Sequence, residues 1–166
     1  KLKGEDILEE LNSLFTQGIK FVEPSDLSGS VKGRQNVYNH LDMMIREAEE
    51  SITIVTTTTG LNRKMEALIP SLEKAKKRGV KIRIATQAGE SNKEAVKEFK
   101  KHAEVRVMPK IRARFAIVDS EQLLFMVLDD DKVHPNYDVA IWLSTDFFAN
   151  AMEQLFEAAW KGFKTA

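Results

Sequence analysis

Cysteine is absent from this 166-residue chain, which excludes disulfides and thiolate metal ligands and suits a reducing cytoplasm. Net charge is absent too: 25 basic side chains balance 25 acidic ones, so no global field draws the chain to nucleic acid. No apolar run approaches the ~20 residues that span a bilayer, and no signal-peptide pattern opens the chain, so no membrane partner is expected. Histidine is scarce. His40, His102 and His134 lack HxxxH or HxH spacing, and neither a metal nor a cofactor is expected. The run Asp129-Asp130-Asp131 lacks the glycine and distal glutamate of an EF-hand loop. What remains is the 43% hydrophobic and 30% charged composition of one ordinary globular domain. The chain starts at Lys1 rather than methionine, and a partner domain upstream is expected.

The apolar pattern changes period along the chain. Between Gly4 and Gly18, Ile7, Leu8, Leu11, Leu14 and Phe15 share a helical face opposite Glu5, Glu9 and Glu10, as in a connector or dimerisation helix. Short extended pieces follow at Lys20–Glu23 and Ser28–Lys32, broken by Pro24. A helix from Gly33 to about Glu50 precedes an apolar strand, Ile52–Thr56, of the kind buried on both faces. Thr57, Thr58, Thr59 and Gly60 open the next helix, which Pro70 should kink and Lys76-Lys77-Arg78-Gly79 should end. Then come a strand at Val80–Thr86, a capping box at Ser91–Glu94 with its helix, and a strand around Val105 and Val107. A hairpin of Arg114–Val118 and Leu123–Leu128 leads to the acidic loop, a strand at Tyr137–Leu143 and a final helix capped by Asp146. That helix should turn Phe148, Met152, Leu155, Phe156, Ala159 and Phe163 to one side. Alternation followed by a hairpin predicts an α/β fold with a mixed, largely parallel sheet and helices on both faces.

Ligands of open α/β sheets favour the crevice beyond the carboxyl ends of parallel strands. Thr57 and Thr58 leave one such end at a helix N-terminus, where hydroxyls and free amides suit an anion or polyol; threonine also serves simply as an N-cap. Arg112 and Arg114, two residues apart on an expected strand, point to one face. They either converge on carboxylates or a bound anion, or form a solvated edge paired with Glu104, Asp129 or Asp130. Asp119, before Ser120, is a turn former that accepts backbone N–H bonds. Lys74, Lys76, Lys77, Arg78, Lys81 and Arg83 form a local basic patch, diluted by Glu66 and Glu73 and expected to be solvated.

The spacing Arg112-x-Arg114-x-x-x-x-Asp119 overlays the HxKxxxxD signature of the phospholipase D superfamily, keeping only its aspartate. Other landmarks accompany it in order: Val31–Val37, Ile52–Thr58, Ala75–Arg83, Tyr137–Trp142 and Leu155–Trp160. Together the chain resembles the phospholipase D-like domain of TrmB-type archaeal transcriptional regulators, over nearly its whole length. The resemblance implies residues 1–18 as a connector or dimerisation helix and 19–166 as a phospholipase D-like regulatory domain. It further implies a winged-helix DNA-binding domain upstream, so DNA would be reached only through that missing part.

By the same resemblance the module is cytoplasmic, forms a homodimer and senses a small polar or anionic effector. Phosphodiester cleavage in the superfamily proceeds through a phosphohistidine, and an always-protonated arginine cannot be that nucleophile. No catalytic residue is therefore expected. The candidate ligand-binding residues are Thr57, Thr58, Arg112, Arg114 and Asp119. The alternatives are a phosphodiesterase or nuclease using other residues, and a purely structural dimerisation module.

Overall fold

The computed structural model of the chain describes residues 2–18, 23–87, 89–109 and 111–166. The extended piece expected at 20–23 has its first three residues outside them. Six helices are described: α1 (Leu2–Gly18), α2 (Pro24–Leu27), α3 (Arg34–Glu47), α4 (Thr58–Lys77), α5 (Lys93–Lys100) and α6 (Asp146–Trp160). The strands are β1 (Ser28–Lys32), β2 (Ser51–Thr56), β3 (Lys81–Thr86), β4 (Glu104–Val107), β5 (Phe115–Val118), β6 (Gln122–Met126), β7 (Val139–Ser144) and β8 (Lys164–Thr165). Among the described residues, no helix is long and apolar enough to cross a membrane.

All eight strands join one sheet in the order β1-β7-β6-β5-β2-β3-β4-β8. The sheet is mixed, as expected, but its parallel part is confined to β2-β3-β4. The other pairings are antiparallel: β5 lies against β2, the β5-β6-β7 meander follows, and β1 and β8 close the edges. The expected largely parallel sheet is corrected accordingly. The short connection from β5 to β6 can only return the strand antiparallel, and with β7 and β1 paired beyond them these antiparallel strands make up half the sheet.

Helices cover both faces. Val37, Leu41 and Ile45 of α3, Leu68 and Leu72 of α4, and Phe99 of α5 bury one face with Ile52, Ile54, Ile82 and Ile84. On the other face, Phe156 and Trp160 of α6 pack on Val55, Ala85 and Met108, while Ala149 meets Ile117 and Leu123. The α6 register thus differs from expectation: Leu155 and Phe148 are exposed, and Glu153 is turned inward. Glu153 is there to meet Arg83, whose buried guanidinium pairs with it at 2.5 Å and also with Glu157, while Thr53 Oγ1 donates to Glu153 at 2.8 Å. Arg83 therefore leaves the expected basic patch. Arg78 leaves it too, donating to the Ile45 and Ala48 carbonyls at 2.9 and 3.0 Å.

Three local expectations need correcting. The Ser91 capping box does not form; Asn92 stands at the cap of α5 and its Nδ2 donates to the Gln87 carbonyl at 2.9 Å. The cap of α6 is Thr145 rather than Asp146. Pro70 sits inside α4, which continues through it to Lys77.

Candidate functional site

Antiparallel pairing sets the geometry of the crevice. Phe115 opposes Val55, so the start of β5 lies beside the end of β2, where Thr56 and Thr57 lead into α4. The acidic loop leaves the end of β6 at the same edge, since Met126 N–H donates to the Arg114 carbonyl at 2.9 Å. Asp138 comes to the same edge just ahead of β7, its carbonyl accepting from Gly33 N–H at 2.7 Å. Thr57, Arg112, Arg114, Asp129 and Asp130 thereby line one pocket of about 150 Å³.

Arg112 and Arg114 both precede β5 instead of lying on it, and they part company. Arg114 is buried and forks onto Asp138 with two bonds of 3.0 Å, also donating to the Leu128 carbonyl. Arg112 is exposed and donates to Asp129 at 2.7 Å and Asp131 at 2.8 Å. Hydrogen bonding from Arg112, helped by the Asp131 amide, holds the Asp129 carboxyl down at about 2. Burial pushes the Asp138 carboxyl upward, yet the hydrogen bonds and charge of Arg114, with Arg34 nearby, hold it below the ordinary carboxylate value. Asp129, Asp130 and Asp131 also bring their carboxylates within 4.8 Å of one another, a spacing a cation could use. Arg112 already occupies their mouth.

Of the five expected site residues, only Thr57, Arg112 and Arg114 meet in that pocket. Thr57 Oγ1 accepts from Gly60 N–H at 3.0 Å and donates to Asp130 at 2.7 Å. Thr58 turns away to the Gln87 carbonyl at 3.4 Å. Asp119 lies at the far end of β5, a strand rise of roughly 15 Å from Arg114. There its φ of 55° turns the chain, and its carboxylate accepts the amides of Glu49, Glu50 and Ser51. It fastens the start of β2 and borders a separate pocket of about 210 Å³, away from the one that Arg112 and Arg114 line.

Residues not anticipated complete the cluster. Lys64 projects from α4 into the core, donating to Thr56 Oγ1 at 3.0 Å and lying 5.4 Å from the centre of the Tyr38 ring. Burial, and then the charge of Arg114, lower its pKa to about 7. Arg34 reaches Asp138 at 3.3 Å, and Arg63 lies 3.5 Å from buried Asp130. One sequence signal was available for Lys64: it falls on the Leu61, Leu68, Leu72 stripe of α4, where an amine must be buried. Asp138 likewise abuts the apolar run Val139–Leu143.

An eight-stranded mixed sheet with this crevice at one strand edge has the phospholipase D-like fold. Solved structures agree. The chain is similar to Nuc from Salmonella typhimurium, a phospholipase D family member, with a TM-score of 0.68 at 15% identity over 84% of this chain and 98% of that one. NucT from Helicobacter pylori gives 0.68 at 14% identity over the same shares. TrmBL2, an archaeal chromatin protein with a novel mode of DNA binding, gives 0.65 at 19% identity over 99% of this chain. This chain spans 63% of the length of TrmBL2. The family described as the transcriptional regulator TrmB, EBD N-terminal subdomain, matches residues 30–163, and the chain belongs to it. No curated protein matches the sequence.

Proposed function

We propose that this chain is a non-catalytic effector-sensing and dimerisation domain of a transcriptional regulator. The observation that carries the reading is that both positions overlaying the superfamily's HxK pair are arginines already satisfied by internal carboxylates: Arg112 by Asp129 and Asp131, Arg114 by Asp138. Arginine stays protonated at any working pH and cannot attack phosphorus. Two of the histidines have ring partners elsewhere: His40 stacks on Trp142, and His134 Nδ1 accepts the Asn136 amide at the turn Pro135–Tyr137, while His102 follows α5 just ahead of β4. In this reading an anionic effector reaches Thr57 and Arg112 by displacing the acidic loop. DNA is contacted by a winged-helix domain upstream of Lys1, in the cytoplasm, much as TrmBL2 is a DNA-binding protein.

Dimerisation is supported by α1. Ile7, Leu8 and Leu11 are all more than half exposed, a stripe that a second copy would cover. Sedimentation at ~100 µM, where an interface of ordinary affinity is filled, should give a dimer. Removing residues 1–18, or placing aspartate at Leu8 and Leu11, should give a monomer. A monomeric parent sinks the dimer, and a dimer that survives both changes moves the interface to another surface.

A further inference from the structure

Across the charge network from the Arg112 pocket lies a larger cleft of about 680 Å³, bordered by Lys32, Arg34, Asn36, Tyr38, Arg63 and Asn136. No described residue lining it is acidic. The Arg34 side chain is nine-tenths buried, and while its Nε serves Asp138, its Nη2 has no hydrogen-bond partner. Arg63 Nη1 is also buried without a hydrogen bond, the nearest carboxylate oxygen being that of Asp130 at 3.5 Å. Leaving a cationic donor such as Arg34 Nη2 unmatched costs free energy in a folded protein, so a missing acceptor is the simplest completion.

Three further features agree. The guanidiniums of Arg34, Arg63 and Arg114 face only two interior carboxylates, Asp130 and Asp138, before Lys64 is counted. The fourteen-residue helix α3 begins at the cleft without a side-chain cap, so the first amides of its positive end are free of side-chain acceptors. Gln35, Asn36 and Asn136 add neutral groups around the rim.

We propose that this cleft is an oxyanion site of phosphate class, with Arg34 and Arg63 as its fork and the α3 N-terminus as its floor. Two guanidiniums bordering one cleft favour the tetrahedral, multiply charged oxygens of phosphate over a halide. The volume exceeds what one phosphate ion needs, leaving space for a small phosphorylated metabolite whose hydroxyls meet the rim amides. Arg112 contributes nothing to this cleft, and the inference stands whether or not the chain regulates transcription.

The test is calorimetric titration of the 166-residue chain with inorganic phosphate and with glucose 6-phosphate at constant ionic strength. Arg34→Gln strips a partner from Asp138 and could unfold the protein, so the diagnostic variant is Arg63→Gln, with Lys97→Gln, an exposed cation on α5, as the control. The parent should bind both probes, Arg63→Gln should weaken each about tenfold or more, and Lys97→Gln should match the parent. Tighter binding of the sugar phosphate assigns a phosphomonoester, and equal binding assigns the free ion. No binding of either probe by the parent overturns the site. So does an Arg63→Gln variant that binds like the parent, or a loss in Lys97→Gln as large as in Arg63→Gln.

Discussion

Replacing Arg114 with alanine should cost about 3 kcal/mol, because it removes one side of a buried ion pair and leaves the other side behind. Arg114 and Asp138 are 4% and 1% exposed and share two bonds of 3.0 Å. Breaking such a pair from one side typically costs about 3–5 kcal/mol. Here Arg34 stays 3.3 Å from Asp138 and compensates part of its charge, which favours the lower end. The Leu128 carbonyl would also lose its donor. With a urea m-value of about 2 kcal/mol/M, the midpoint should fall by about 1.5 M. Arg112→Ala, two residues away, should leave the midpoint close to the parent's, since its partners are solvated. The double variant Arg114→Met with Asp138→Asn should recover part of the loss, because no bare charge then remains in the interior. A midpoint shift below about 0.5 M for Arg114→Ala, or equal shifts for both arginines, would refute the idea that Arg114 is an internal tie.

Lys64 supplies a pH prediction. Its pKa falls from 10.5 to about 7 in the folded protein, so the unfolded chain holds the extra proton between those values and stability rises with pH across that window. Against Lys64→Met, the parent should gain about 2 kcal/mol between pH 7 and 9 in paired urea titrations, and parallel profiles would contradict the burial argument. Gly60→Ala should destabilise strongly, since a Cβ there would lie 2.4 Å from Thr56 Oγ1 and 3.2 Å from Lys64 Nζ. A thermal midpoint equal to the parent's would show that the Thr56–Lys64 cluster yields easily.

Much of the fold was legible because period reports burial. The apolar segment at 52–56 reads as a strand covered on both faces, and it is. The Lys76–Gly79 stop also holds, with Gly79 at φ 89°. The balance of parallel and antiparallel pairs was less legible, because strand order depends on which edges meet across the sheet. The site was half legible. Thr57, Arg112 and Arg114 do meet, but alternation alone could not show that Arg114 turns inward to Asp138 while Arg112 turns out to the loop. Arg34 and Arg63 carry no local signal, and Asp130 is expected only as a partner on a solvated edge, not as a buried carboxylate. They lie on separate elements, and only the antiparallel return of β5 and β6 brings the acidic loop beside α4.

Phosphodiester hydrolysis is the measurement that bears most directly on the account. On the proposed reading the chain should not turn over bis(p-nitrophenyl) phosphate or nick DNA above background, with or without glucose 6-phosphate, because the crevice arginines Arg112 and Arg114 are paired with carboxylates and neither can act as a nucleophile. Activity that survives repurification and disappears when His102 or His134 is changed to alanine would contradict it, and would place the chain among the enzymes whose fold it shares.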